Sequence, residues 1–516
     1  MSTLTQALQR HAARTPHAIA LHDSGQQLGY RELDARVQAL AAHFDARRPR
    51  VIGLLADNGC DWAVADLAAC RARIPLVPLP LFFSAQQLAA TIRNAGIDLI
   101  VTDRPTAVAQ FAWIRYAANP VCTDLHDVWL RTDSAATLPA GIDKITYTSG
   151  STGAPKGVCL DRDTLETVAA QLCAASGAGA ADRHLCMLPL STLLENVGGL
   201  YAGLLAGATI CLPDAAELGM AGSSELYPAQ LLAALRRWQP TTGILVPQLL
   251  QALVALARNG ATPPRTLRYL AVGGAPVAVA TLRAARDFGL PVYEGYGLSE
   301  CASVVALNRP GDERPGSVGR PLPHVRLSFA DDGEISVHGV QWHGYLGDPR
   351  DTRSPQALPP TGDIGYLDVD GFLFITGRKK SQFSTAFGRN VAPEWVEREL
   401  VAQAPIQQAA VFGEGRARNC AVIVAAAAAG DACIDAAMRR ANAMLPDYAR
   451  IGLWLRAAEP FSTRNAQATA NGRLCRDHIL TRYADDIDAL YADTGADIAR
   501  ARNGDFLSAA AAGERR

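Results

Sequence analysis

Along this chain the apolar positions fall into short runs whose period switches between that of a strand and that of a helix. Residues 5–13 carry apolar side chains at helical spacing and stop at Thr15-Pro16, a natural helix end. A second helix opens at Tyr30-Arg-Glu-Leu-Asp and reaches about Phe44. The unbroken apolar run Val51 to Leu55 predicts a strand, Trp62 to Arg73 a helix, Leu76-Val77 a strand, Ser84 to Asn94 a helix and Asp98 to Val101 a strand. Strands alternating with helices predict a parallel sheet covered by helices, so the fold class is α/β. Later, Ile142 to Tyr147 reads as a strand, Arg162 to Ala175 as a helix, and Leu270 to Pro276 as a strand entering a glycine turn. Alternation between Val325 and Val337 predicts a small antiparallel sheet. Strands at Ala404 to Phe412 and Asn419 to Ala425, with a helix from Ile434 to Met444, make an α+β lobe near the C-terminus.

Length and composition narrow the class. At 516 residues the chain exceeds one simple core, which predicts two or more domains. A charged fraction of 19% and a net charge of −1 give no electrostatic reason to expect nucleic acid or an anionic membrane as partner. The cysteines number eleven, an odd count with no Cys-x-x-Cys pair, which argues against a disulfide framework. Residues 1–20 lack a signal-peptide core, and no apolar run reaches membrane-span length, so the cytoplasm is the expected compartment. Only four of the 49 basic residues are lysine: Lys144, Lys156, Lys379 and Lys380. Lysines that survive such a drift toward arginine are candidates for positions where a guanidinium will not serve.

The densest chemistry follows the strand at 142–147. Hydroxyls of Thr148, Ser149, Ser151 and Thr152 alternate with Gly150 and Gly153, and Lys156 and Gly157 close the run. Glycines bring backbone N–H groups close to a ligand, successive N–H groups and hydroxyls form an anion nest, and a lysine adds a mobile point charge. That is equipment for a polyphosphate, but not a Walker A frame. With its lysine and proline in place, the run resembles the phosphate loop of the adenylate-forming enzymes: acyl-CoA synthetases, luciferases and nonribosomal adenylation domains. Four further stretches resemble the same family in the same order. They are Leu188-Pro-Leu with Glu195, Leu270 to Pro276, Tyr296-Gly-Leu-Ser-Glu300, and Thr361-Gly-Asp363 with Gly377-Arg378.

The resemblance implies roles residue by residue. Gly274 and Ala275 would lie against adenine and Tyr296 would stack on it, with Gly297 letting the backbone approach. Ser299 would donate to the α-phosphate, and Glu300 would take Mg²⁺, a hard cation that binds few carboxylates. Asp363 would accept the ribose hydroxyls, and Arg378 would reach ribose or phosphate. Lys380 would be the hinge between a large domain, residues 1–379, and a lid, residues 380–485. Residues 486–516 would form a helical or partly disordered tail. Gly388 would border the thiol tunnel. Thr192, where the family often has histidine, together with Gly198 and Gly199, would border the acyl pocket, although close helix packing accounts for the glycines equally well. Glu195 has two readings, a family match or a solvated helix cap.

One departure stands out. The family's catalytic lysine falls at Arg473, and no lysine follows Lys380. The resemblance implies an acid–thiol ligase: ATP and a carboxylic acid, with a fatty or aliphatic one expected, give an acyl-adenylate and pyrophosphate. A thiol of CoA or an acyl carrier protein then takes the acyl group. Two rivals stay open. One is adenylation without thiol transfer, as in β-lactone-forming members; the other is a degenerate nucleotide-binding homologue.

Overall fold

The computed structural model describes residues 3–109, 115–122, 124–130, 138–149, 155–221, 225–347, 358–469 and 472–505. Two compact units divide the chain, Met1–Ile375 and Thr376–Arg516.

The first unit is built on two mostly parallel sheets. One has nine strands, with Gln27–Gly29 and Arg320–Pro321 at its edges. Its centre is six parallel strands in the order Ile19–His22, Thr209–Cys211, Arg183–Leu185, Thr242–Leu245, Tyr269–Val272 and Val292–Tyr296. The other has seven strands, four of them parallel: Leu99–Thr102, Ile52–Leu55, Leu76–Pro78 and Ile142–Ser149. Ile52–Leu55 and Leu99–Thr102 are buried at every position, which is why they read as continuous apolar runs. The predicted α/β class with a helix-covered parallel sheet is what the chain adopts.

Local signals set the helices. Tyr30–Arg47 buries Tyr30, Leu33, Val37, Leu40, Ala41 and Phe44, a three-and-four spacing on one face. It runs one turn past Phe44 and ends at Arg48, with φ of 50°. Ala85–Ala95 begins with a reciprocal Ser84–Gln87 capping box and ends at Gly96 in the left-handed region. The alternation after Val325 becomes the antiparallel pair Arg326–Phe329 and Ile335–His338.

In the second unit, Asn419–Ala425 pairs antiparallel with Ile406–Phe412 and parallel with Ile451–Arg456. One group of buried residues joins Val396 and Leu400 to Ile434, Met438 and Ile451. A second joins Cys420, Val422 and Phe461 to Ile479, Tyr483 and Ile487. The C-terminal helix Arg476–Asp505 runs unbroken through residue 485, and Ile487 beyond that point is buried. All eleven cysteines are free. Among the described residues no helix is long and apolar enough to cross a membrane.

Candidate active site

Gly150, Ser151, Thr152 and Gly153 lie outside the described residues, but the strands on either side of them are placed. Ile142–Ser149 pairs antiparallel with Pro155–Asp161, setting Thr148 opposite Lys156. Gly157 is tightly packed: a Cβ would lie 3.0 Å from both Tyr147 and Ile145, and these side chains would have to give way to admit it. The exposed ammonium of Lys156 lies 5.2 Å from the centre of the Tyr345 ring. Tyr345 Oη donates to Glu300 Oε1 at 2.7 Å. Lys156 and Glu300, 144 positions apart in sequence, therefore share one aromatic neighbour. Tyr345 is a residue that the sequence reading passed over.

Around the expected adenosine side, the strand Tyr269–Val272 ends in a turn where Gly274 has φ of 88°, a left-handed conformation that favours glycine. Ala275 is half-buried beside it. Buried Glu294 accepts from the Val277 backbone N–H at 3.1 Å, tying this turn to the strand Val292–Tyr296. At Gly297 a Cβ would lie 1.6 Å from the Ser303 carbonyl oxygen, so any other residue would force the turn open. Ser299 and Glu300 sit half-buried in the short turn Ser299–Cys301. Tyr296 Oη donates to Asp363 Oδ2 at 2.7 Å, and the Asp363 N–H donates to Thr361 Oγ1 at 3.1 Å. Burial, reinforced by the neighbouring Asp363 carboxylate, pushes the Tyr296 phenol far above its usual range, so the phenol acts as a donor. Asp363 is 3% exposed. The donor set fits the implied ligands: hard carboxylate oxygens for Mg²⁺, and a carboxylate fixed beside an aromatic ring for a nucleoside.

The expected acyl side takes a different form. Glu195 is fully buried, which removes the solvated-cap reading. Its Oε2 accepts from the Leu188 N–H, and Oε1 lies 2.9 Å from His184 Nε2. Burial pushes the nearby Cys186 thiol well above its usual range, with the Glu195 charge adding to the effect. A Cβ at Gly199 would lie 2.2 Å from Glu195 Oε1 and 2.6 Å from His184 Nε2. One at Gly198 would meet Ile244 at 3.1 Å, and one at Gly203 would meet Ile210 at 2.4 Å. Each of these glycines is thus closely packed on at least one side. Thr192 is half-buried, and its carbonyl accepts from the N–H groups of Glu195 and Asn196.

Four named residues belong to the second unit. Arg378 ends the strand Leu373–Arg378, Lys380 is exposed just after it, and Gly388 has φ of 69° with open space around a would-be Cβ. Arg473 is exposed on a tight turn. Its carbonyl accepts from the Thr469 N–H at 2.7 Å, and its N–H donates to Thr469 Oγ1 at 3.1 Å. Three residues on, Arg476 makes a two-pronged ion pair with buried Glu397, with Nη2 to Oε2 at 2.6 Å.

Residues 8–346 match the family model described as AMP-binding enzyme, and residues 380–495 match the one for the AMP-binding enzyme C-terminal domain. The long-chain-fatty-acid–CoA ligase FadD15 of Mycobacterium bovis is 29% identical, covering 84% of this chain and 86% of that protein. An oxalate–CoA ligase of Arabidopsis thaliana is 27% identical, covering 82% of this chain and 88% of its own length. A feruloyl-CoA synthase of Amycolatopsis is 29% identical over 78% of this chain and 84% of that protein. Among solved structures, the anthranilate CoA ligase AuaEII with anthranoyl-AMP superposes with a TM-score of 0.78 at 19% identity, covering 94% of this chain and 98% of that one. At that identity the likeness speaks for the fold.

Proposed function

This chain belongs to the AMP-binding enzyme family, and on that premise we propose that it is an acid–thiol ligase. It would join a carboxylic acid to ATP as an acyl-adenylate, release pyrophosphate, and pass the acyl group to the thiol of CoA. The observation that carries this reading is the pairing of two small constellations in the first unit: Lys156, Tyr345 and Glu300, and Tyr296 with Asp363.

Each residue has a physical task. Lys156 meets the β- and γ-phosphates as a compact charge. Asp363 holds the ribose hydroxyls, Tyr296 and the Gly274-Ala275 turn bound the adenine, Gly297 admits the backbone, and Ser299 donates to the α-phosphate. Glu300 holds Mg²⁺, which offsets phosphate charge when bound. Arg473 supplies the cation that bridges the acid's carboxylate and the phosphate during adenylation. Arg378 adds a second guanidinium near the nucleotide. We place the hinge at Lys380, between a large domain of residues 1–379 and a lid of residues 380–485, and the thiol path beside Gly388. Catalysis then rests on placed cations and N–H donors rather than on a covalent enzyme group. An aliphatic acid is our preferred substrate, and the cytosol, where eleven free thiols remain reduced, our preferred compartment.

The replacement of the expected lysine by Arg473 favours one rival, a nucleotide-binding homologue that has lost catalysis. One assay separates the readings. Pyrophosphate release is measured over a panel of aliphatic and aromatic acids, with CoA, with an acyl carrier protein, and with no thiol. Release that turns over only when CoA is present supports the proposal. Turnover with carrier protein alone reassigns the acceptor, turnover without a thiol supports adenylation alone, and no release with any acid supports the inactive homologue.

A further inference from the structure

The segment Trp342 to Leu346 runs as an added edge along the strand Pro155–Asp161. The Leu346 N–H donates to the Gly157 carbonyl at 2.7 Å, and the Cys159 N–H donates to the Gly344 carbonyl at 3.2 Å. Val158 and Tyr345 form an antiparallel bridge between these contacts. His343 Nε2 lies 2.7 Å from Asp161 Oδ2, and Asp161 also caps the helix Arg162–Ser176. Trp342 packs edge-on to the Tyr345 ring, with centroids 5.0 Å apart and planes at 84°. Backbone and ring of Tyr345 are therefore both fixed by the fold.

This fixed ring has charged neighbours of opposite sign. The Lys156 ammonium lies over its face, and its hydroxyl donates to one oxygen of Glu300. Among the described residues no ion pair joins Lys156 to Glu300, and Glu300 Oε2 makes no hydrogen bond. A lysine and a glutamate brought together with nothing between them pair with each other, and each is then less available to a ligand. A ring face attracts an ammonium through its quadrupole without neutralising it. A phenol donor orients a carboxylate through one oxygen and leaves the other open to a cation, as outer-shell partners of ligating carboxylates do.

Building on the ATP-dependent reading above, we infer that Tyr345 is a positioning residue that keeps Lys156 and Glu300 as two separately usable charges. Its ring presents the cation to phosphate, and its hydroxyl orients the carboxylate toward the metal.

The hydroxyl and the ring can be removed one at a time, and the readout is equilibrium binding. The full chain and its Tyr345→Phe and Tyr345→Leu variants are titrated by calorimetry with ATP alone and with ATP plus Mg²⁺, after thermal melts establish that the variants are folded. Tyr345→Phe keeps the ring, so metal-free ATP binds as in the parent, while the tightening produced by Mg²⁺ shrinks by about 10-fold, the lower end for loss of an outer-shell partner. Tyr345→Leu loses both effects. A Tyr345→Phe chain with the parent's full Mg²⁺ tightening overturns the inference. So does one whose metal-free ATP binding falls to the Leu variant's level, because its ring is intact. A parent chain that binds no ATP in either condition overturns the functional reading itself and the tyrosine's role with it. Normal parent binding with an unchanged Phe variant removes only the tyrosine's role.

Discussion

Lys144 and Lys156 lie on neighbouring antiparallel strands, and both persist in a chain with only four lysines. Their surroundings are opposite. Lys144 is 2% exposed, and its ammonium donates to Asp66 Oδ1 at 2.7 Å, to Tyr201 Oη at 2.9 Å and to Asn196 Oδ1. Three donors meet three acceptors, and Asp66 in turn accepts from Tyr201 and Asn196. Lys156 is exposed and has an aromatic face as its described partner. A buried charge must be satisfied inside the protein, whereas a charge meant for a ligand must be left incompletely served. Scarcity of lysine points to both positions, yet only the count of partners separates the structural cation from the functional one.

The largest expected effect tests the structural half of that contrast. Lys144→Met leaves Asp66 buried without its cation, and breaking such a pair by removing one partner costs about 3–5 kcal/mol. Lys156→Met removes an exposed charge and should change stability by less than about 0.5 kcal/mol. Urea denaturation of both variants checks this. If Lys156→Met loses as much stability as Lys144→Met, the two lysines are not different in kind.

Next comes the functional half. Lys156→Arg keeps the charge but replaces a compact ammonium with a wider planar fork. Adenylation should fall by about 10²-fold, as for loss of one preorganised charge donor, with the melting temperature unchanged. Pyrophosphate exchange at the parent rate would show that drift alone left this lysine behind.

A smaller shift is expected at the nucleoside end. Asp363→Ala removes a carboxylate acceptor, and hydrogen bonds to charged groups are worth about 1.5–3 kcal/mol, or roughly 10- to 100-fold in ATP affinity. The rate at saturating ATP should change less than the apparent ATP affinity. An unaltered ATP requirement would place the ribose elsewhere.

How far the sequence could see follows from the same contrast. The four parallel strands of the seven-stranded sheet were readable because burial on both faces leaves continuous apolar runs, as at Ile52–Leu55. Of the six at the centre of the nine-stranded sheet only Tyr269–Val272 was read, because strands of three or four residues such as Arg183–Leu185 and Thr209–Cys211 are too short to show a pattern. Gly297 was singled out for letting the backbone approach a nucleotide, whereas the constraint visible in the fold is internal: the chain folds back on itself six residues later, at Ser303. The helices Pro228–Trp238 and Pro247–Arg258 escaped the reading although each starts with a proline at its first turn, a usable signal. Glu195 was named, but the choice between its two readings was beyond reach, because its partner His184 arrives from a separate strand. Tyr345 was beyond reach for the same reason: only tertiary pairing brings it between Lys156 and Glu300. Spacing reports what a segment does to itself; it does not report which distant partners saturate a charge.

The smallest expected effect comes from running the lysine-to-arginine exchange backwards. Arg473 stands where the family resemblance implies a lysine, and its turn is held by backbone atoms and Thr469 Oγ1. Arg473→Lys therefore leaves those turn contacts available and restores an ammonium. Because Arg473 is exposed on that turn, a flexible four-carbon stem has room to adjust its reach, unlike a cation seated over the fixed Tyr345 ring. Adenylation should change by less than about 10-fold, against a loss of about 10²-fold for Arg473→Ala, which deletes the charge altogether. Transfer from a supplied acyl-adenylate to CoA should be nearly the same in all three proteins. If Arg473→Lys fell as far as Arg473→Ala, the site would depend on the guanidinium fork as strictly as Lys156 is expected to depend on its ammonium. The contrast between a tolerant and an intolerant cation would then give way to two positions, each tuned to its own head group.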